Sequence, residues 1–512
     1  MTKEVNQASE AAADEPDIIY ILADDMGFGD MGCNHPGGKI PTPNLDRLAA
    51  EGMRFTDAHA GSSVCTPSRY HILTGRYAWR SRLKRGVLWQ WDGPLIEPAR
   101  PTVATMLRDH GYRTACVGKW HLGWDWSTVD GTHPNATLAF GEHLREERNA
   151  FGMTQIDFSK PLGGGPLACG FESYFGVDVP NFPPYAWIEN DRLPVLPTEE
   201  KPEAMYGRPG RACTDWRLEG LLPELTQRAV TFITEQAGQP RPRRPYFLYF
   251  PLTAPHSPIV PNARFRGRSG AGAYGDFVCE VDWTVGQVLA ALQEAGTRRE
   301  TLVIFTSDNG PENRTPDDEG AYARAQRHGH YSMGPLRGLK RDTWEGGHRV
   351  PFLASWPGVI GPGTRCDQLI CLGDLMATCA DLLGIAVPVG GGQDSLSFAS
   401  LLRGAGHNAA RESAIHHSYD GRFAVRRGPW VFIDAPTGDE NDEPDWFKQQ
   451  RGYTVHDCPG ELYNVHDDLP ERRNRYAEEP ERVAELREIL RCACAEGDVH
   501  GGPGADIAAL SE

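Results

Sequence analysis

Cys65, within Gly61-Ser-Ser-Val-Cys65-Thr-Pro-Ser-Arg69, is where the sequence first offers chemistry. Pro67 donates no backbone hydrogen bond and fits the first position of a helix, Thr66 can cap that helix, and Gly75 is placed to end it. Cys65 then stands at a helix N-terminus, whose free N–H groups suit an anion, and Arg69 adds a fixed cation about one turn later. Asp24, Asp25, Asp308 and Asn309 are oxygen donors, and such a set suits a hard cation, Ca2+ or Mg2+, better than zinc. Taken alone, a paired aspartate after a strand also reads as a capped turn. Lys119, His121, His256 and Lys340 add cationic groups. Positive charge around a metal is what reaction at a tetrahedral oxyanion such as phosphate or sulfate requires, because catalysis there is mostly charge stabilisation and positioning.

These residues need a scaffold that brings them together, and the apolar runs supply one. Residues 17–23, 112–118 and 301–307 read as buried strands leading into Asp24-Asp25, Lys119-Trp120-His121 and Asp308-Asn309, and 246–256 reads as a further strand-like run that ends at His256. In open α/β sheets ligands sit beyond the carboxyl ends of the strands, so these ends are expected to converge. Helices are predicted over 102–109, 223–236, 275–295 and 374–383, which implies an α/β domain with a large sheet between helices. The Gly-, Pro- and aromatic-rich stretch 125–220 reads as long loops over the site. A disordered tail over 1–16, a catalytic domain over 17–400 and a smaller C-terminal α+β domain over 401–512 complete the organisation. The last has strands at 423–426 and 430–433 and a helix at 480–494.

The 512 residues carry a net charge of −17, which argues against nucleic acid as a general partner. Arg80, Arg82, Lys84 and Arg85 form a local basic cluster, and Arg241, Arg243 and Arg244 another that reads as a solvated loop. No apolar run spans a bilayer and the start lacks a secretory signal, so a cytoplasmic protein without membrane attachment is expected, or a periplasmic or secreted one if a signal has been removed. The 12 cysteines are scattered and read as reduced thiols, with Cys492 and Cys494 as a pair able to bind metal or to bond.

Cys65-Thr-Pro-Ser-Arg69 resembles the C-x-P-x-R signature of formylglycine-dependent (type I) sulfatases, arylsulfatase-like members of the alkaline phosphatase superfamily. Asp24-Asp25, Gly118-Lys-Trp-His-Leu-Gly123, Ala254-Pro-His256, Asp308-Asn-Gly310, Gly338-Leu-Lys340 and Glu345-Gly-Gly-His-Arg-Val-Pro351 resemble the family's other blocks, in the family's order. The likeness runs from Asp17 to Glu461-Leu-Tyr-Asn464 and the helix beyond. It implies a large central mixed sheet flanked by helices, with a smaller C-terminal domain of antiparallel sheet plus helix.

The resemblance also implies a mechanism. A formylglycine-generating maturation enzyme oxidises Cys65 to an aldehyde, and one hydroxyl of its hydrate attacks sulfur to give a covalent enzyme–sulfate ester. The second hydroxyl then re-forms the aldehyde and ejects sulfate. By position, Asp24, Asp25, Asp308 and Asn309 hold Ca2+, with Mg2+ as the alternative, together with residue 65. Arg69 and Lys119 steady the hydrate, His121 is the base, Asp308 helps activate the nucleophile, and His256 with Lys340 bind the sulfate and assist the leaving oxygen.

A phosphodiesterase or phosphonate monoester hydrolase of the same superfamily, and a non-catalytic sulfoglycan-binding protein that keeps Cys65 as a thiol, are the rival readings. A cysteine hydrolase would leave the acidic cluster without a purpose. The substrate expected is a sulfated small molecule or saccharide. Trp89, Trp91, Trp120, Trp124 and Trp126 stand near the basic and catalytic segments and read equally as platforms for sugar rings or as core. The insertion 311–333, with His328, His330 and Tyr331, reads as a substrate loop or as a solvated excursion.

Overall fold

The structure is a computed structural model and describes residues 15–137, 142–315, 319–404 and 411–495. All but Glu15 and Pro16 of the expected N-terminal tail lies outside the described residues, as do parts of the 311–333 insertion and of the predicted domain boundary.

Every residue of Asp17–Ala23 (β1) is buried, so both faces of this strand need cover, the situation of a parallel strand between helical layers. Successive side chains leave a strand on opposite faces. Ile18, Tyr20 and Leu22 enter one core with residues of the helices Cys65–Thr74, Val103–Asp109 and Leu375–Leu383. Ile19 and Ile21 enter the other with residues of Pro43–Glu51, Leu221–Ala237 and Gly272–Glu294. Each such side chain contributes about 1.5–3 kcal/mol on burial.

The remaining strands of this sheet are Met53–Phe55 (β2), Arg113–Lys119 (β3), Ser173–Val177 (β4), Ile188–Glu189 (β5), Tyr246–Pro251 (β6), Thr301–Ser307 (β7), Phe352–Ser355 (β8) and Thr364–Cys366 (β9). Their order across the 9-stranded sheet is β9-β2-β8-β7-β1-β6-β3-β4-β5. The central run β7-β1-β6-β3 is parallel, and β8 joins it antiparallel to β7, so the sheet is mixed. The stretch expected to be loops supplies two of these strands, β4 and β5, and the helix Arg145–Thr154. With five and two residues, β4 and β5 are too short to print a periodicity.

The second basic cluster lies on an irregular segment with Arg241 and Arg244 exposed, as expected of a solvated loop, while the Arg243 side chain is buried against the opposite rim of the sheet. Arg243 donates to Asp17 Oδ1 at 2.7 Å, Arg241 to Glu300 Oε2 at 2.7 Å and Arg244 to Glu172 Oε1 at 3.2 Å. The cysteines are free thiols, Cys492 and Cys494 included. No helix among the described residues is long and apolar enough to cross a membrane.

Four antiparallel strands, Ser413–His417 (β10), Phe423–Arg427 (β11), Trp430–Ile433 (β12) and Glu461–Asn464 (β13), form a separate small sheet. Val425, Phe432 and Leu462 pack against Val483, Leu486 and Leu490 of the helix Pro480–Ala495, while Val431, Ile433 and Tyr463 pack on Trp344 of the main domain. The small sheet reaches the segment before Cys65 directly. Ser63 N and Ser62 Oγ both donate to His417 O, at 3.1 and 2.9 Å.

Candidate active site

The carboxyl ends of β1 and β7 are sewn together by their own turns. Asp308 N donates to Ala23 O at 3.1 Å, Asp25 N to Asp308 Oδ1 at 3.2 Å and Met26 N to Ser307 Oγ at 2.9 Å. Asp25 adopts a left-handed φ of 68°, a conformation that costs about 1–3 kcal/mol for a residue other than glycine and gathers at functional sites. His121, after β3, does the same with φ 55°.

The helix that carries Cys65 starts earlier than Pro67 predicts. It spans Cys65–Thr74, Val64 is its N-cap, and Pro67 is its third residue, where a missing N–H still removes no intrahelical bond. Thr66 does not cap it; the hydroxyl accepts from Leu88 N at 3.2 Å. Gly75 ends it in the left-handed conformation, as its sequence position requires.

Around Cys65 the charged side chains form one buried network. Arg69 donates to Asp308 Oδ2 through Nε at 3.1 Å and Nη2 at 2.8 Å, and to Lys119 O at 3.0 Å. Lys119 Nζ donates to Asp24 Oδ2, and Lys340 Nζ to Asp25 Oδ2, each at 2.8 Å. Asn309 Nδ2 donates to Asp25 Oδ1 at 2.7 Å, and His256 Nε2 lies 3.7 Å from Asp25 Oδ2. Cys65 Sγ sits 3.7 Å from Asp24 Oδ1 and 3.9 Å from Asp25 Oδ1. His121 stands in the cavity wall beside them: its Nε2 donates to Leu88 O at 3.0 Å, and its buried Nδ1 has no partner.

Burial and mutual charge set the protonation of this network. Burial alone would raise Asp24, but Lys119, His256, Arg69 and Lys340 hold it well below the usual carboxylate range. Burial raises Asp25, with Asp24 and Glu312 adding to it against Lys340. Asp308 is pushed up to about 6, by burial first and then by Asp24. Burial lifts the Cys65 thiol to about 12. It also holds His121 and His256 far below the usual imidazole range, helped by Lys119 at His121 and by Lys340 at His256.

The donor set fits a divalent cation. Ligand atoms of Asp24, Asp25, Cys65 and His256 lie within 4.8 Å of one another, and Asn309 Oδ1 is buried without a partner. Carboxylate and carboxamide oxygens are ligands for a hard ion. A second cluster, His59, His348 and His416 beside Asp57 and Glu345, does not fit one. The rings of His348 and His416 stack at 3.9 Å with 9° between planes, so their in-plane lone pairs do not meet.

A cavity of about 250 Å³ opens onto Cys65, His121, His256 and Lys340. Among the wall residues that escaped the sequence reading are Glu312, Arg341 and Tyr419. The first two stand close to predicted blocks, Glu312 two residues after Asp308-Asn-Gly310 and Arg341 directly after Lys340, and that adjacency was the available signal. Of the five tryptophans, Trp91, Trp120, Trp124 and Trp126 are core residues. Trp89 alone reaches the cavity, with the Arg208 guanidinium 4.4 Å from its ring centre. The insertion is packed, not solvated, at His330, which is buried and bonded to Asp30 Oδ1 at 2.8 Å.

Comparison with known proteins agrees with this geometry. Residues 16–385 match the family model for the sulfatases. The chain is 32% identical over 502 residues to N-acetylgalactosamine-6-O-sulfatase of Bacteroides thetaiotaomicron, covering 93% of this chain and 92% of that protein. It is 34% identical to human arylsulfatase A, covering 91% of this chain and 84% of that protein. A solved B. thetaiotaomicron sulfatase from work on its metabolism of multiple glycosaminoglycans superposes with a TM-score of 0.76 at 30% identity, covering 94% of this chain and 99% of the other. The chain belongs to the sulfatase family, within the alkaline phosphatase-like superfamily, and is a sulfuric ester hydrolase.

Proposed function

We propose that this sulfatase removes sulfate from a carbohydrate sulfate ester, one terminal sugar at a time. Ca2+ is held by Asp24, Asp25, Asp308, Asn309 and residue 65, and residue 65 is converted to formylglycine. The observation that carries the reading is the placement of Cys65 Sγ within 4 Å of two buried carboxylates, each tied to its own lysine. The relative named for N-acetylgalactosamine 6-O-sulfate supports a sugar substrate. A cavity of about 250 Å³ is smaller than the ~300–1,000 Å³ of sites for drug-sized ligands, which favours a single ring over an internal stretch of polymer.

When bound, the cation polarises the reacting oxygens, and the aldehyde hydrate at position 65 supplies a hydroxyl nucleophile. The chain's own residues do the rest. Arg69, locked by Asp308 and Lys119 O, cannot swing away, so it and Lys119 keep fixed positive charge beside residue 65. Lys340, kept charged chiefly by Asp25 against the effect of burial, binds a sulfate oxygen. His256 donates Nδ1–H to Ser257 O, which leaves Nε2 for the substrate. A sulfate anion between His256 and Lys340 favours the imidazolium, so Nε2 gains the proton it passes to the leaving oxygen. His121, with Nε2–H fixed on Leu88 O, has Nδ1 available to take a proton from residue 65.

The test is turnover by matured protein of a panel of sulfated monosaccharides, an aryl sulfate and a phosphate diester, with mass spectrometry of the peptide that carries residue 65. Preference for a sugar sulfate together with formylglycine in the peptide is expected. Activity on the aryl ester alone, or preference for the diester, would overturn the substrate assignment.

A further inference from the structure

Arg341 has a backbone φ of 83°, deep in the left-handed region where glycine is at ease and an arginine is strained by about 1–3 kcal/mol. Nothing in the turn calls for that side chain. The backbone bond from Arg341 N to Ser63 O, 2.9 Å long, would survive with glycine, and the neighbouring Lys340 is anchored on Asp25 independently. The gain must come from what the guanidinium does.

It meets Glu312 as a two-pronged pair, Nη1 to Oε1 at 2.6 Å and Nη2 to Oε2 at 2.8 Å. Glu312 is itself held by Arg314 N at 2.6 Å, stands 3.5 Å from Lys340 Nζ, and is kept ionised chiefly by Arg341 against burial. The guanidinium is therefore held rigidly, with its fork on Glu312, in the wall of the cavity that opens onto Cys65 and Lys340, and 17% of its side chain is exposed. A guanidinium has five N–H groups, and the bonds to Glu312 use two of them. The rest belong to a side chain in the wall of a cavity whose other cations, Arg69, Lys119 and Lys340, are engaged with the carboxylates beside residue 65.

We infer that Arg341, positioned by Glu312, is a specificity-determining residue that hydrogen-bonds oxygen acceptors of the sugar carrying the sulfate. The inference rests on the carbohydrate reading above and goes beyond it in naming the group that distinguishes a sugar sulfate from a plain aryl sulfate. Ring hydroxyls and an acetamido carbonyl offer acceptors to a planar fork; a plain aryl ester offers none beyond the sulfate itself.

The experiment compares matured wild type, Arg341→Gly and Arg341→Lys on a sulfated N-acetylhexosamine and on a simple aryl sulfate, with KM and kcat resolved and thermal melting of each protein recorded. Arg341→Gly should raise KM for the sugar ester about tenfold or more, and lower kcat/KM on it about tenfold more than on the aryl ester. Its melting temperature should fall below that of wild type, because loss of the partner of buried Glu312, about 3–5 kcal/mol, outweighs the about 1–3 kcal/mol of backbone strain relieved. Arg341→Lys, which keeps the charge and loses the fork, should resemble the glycine variant in its preference between the two esters. Equal losses on both esters, an unchanged sugar KM, or a lysine variant with wild-type preference would overturn the inference. Wild-type protein active on the aryl ester alone would overturn the carbohydrate reading itself, an outcome read from the wild type and separate from the variant comparison.

Discussion

Cys65 Sγ lies 3.7 Å from Asp24 Oδ1, although Cys65 opens a helix and Asp24 follows a strand 41 residues earlier. Burial lifts this thiol to about 12, so at neutral pH an unconverted Cys65 is a protonated thiol and a poor nucleophile. Specific activity of different preparations should therefore track the fraction of residue 65 found as formylglycine by mass spectrometry. Cys65→Ala should lower kcat/KM by about a thousandfold or more without loss of fold by circular dichroism.

Stripping divalent cations should lower the melting temperature as well as activity, because it leaves the repulsion among Asp24, Asp25 and Asp308 unrelieved. A cation present at about 100 times its Kd adds about 2.7 kcal/mol of stability. Calorimetric titration of chelated protein should give one Ca2+ site, and Asn309→Ala, which removes the orphaned Oδ1, should weaken it about tenfold.

Asp178 provides a pH test away from the reacting atoms. Burial holds its carboxyl at about 6 against an ordinary 3.8, and its Oδ1 accepts from both His121 N and Trp124 Nε1. The folded state thus keeps this proton more tightly than the unfolded chain does. The stability it brings is complete below pH 3.8 and is lost as pH rises through about 6. Asp178→Asn, which retains an acceptor oxygen, should match wild type near pH 4 and exceed it by about 1–3 kcal/mol near pH 8, measured by denaturant titration.

The tryptophans should separate by role. Trp120→Ala opens the core and should cost about 3–5 kcal/mol of stability. Trp89→Ala, at the cavity, should raise KM for a sugar sulfate with little change in melting temperature.

What could be read from sequence follows the range of the interactions involved. The strands ending at Asp24, Lys119 and Asp308 are apolar runs bounded by ionisable residues, so local pattern exposes both the element and its payload. The position of Cys65 at a helix N-terminus was legible from Pro67 and Gly75, whereas the true start depended on Val64 staying extended. Glu312 and Arg341 were not legible because their meaning lies in a pairing across 29 residues and in a backbone angle that no residue pattern advertises. The Trp91–Trp126 group was ambiguous for the converse reason: an aromatic near a site looks the same in sequence whether it faces sugar or core.

The bonds from Ser62 and Ser63 to His417 carry a consequence for biosynthesis. They tie the lead-in to position 65 to a strand made some 355 residues later, so that the wall around this residue is finished only when the last part of the chain has emerged. Cys65 is 2% exposed once that wall is in place. A macromolecular catalyst of oxidation at this position would therefore find the thiol more open before the wall closes, and late arrival of the small sheet would set the length of that window.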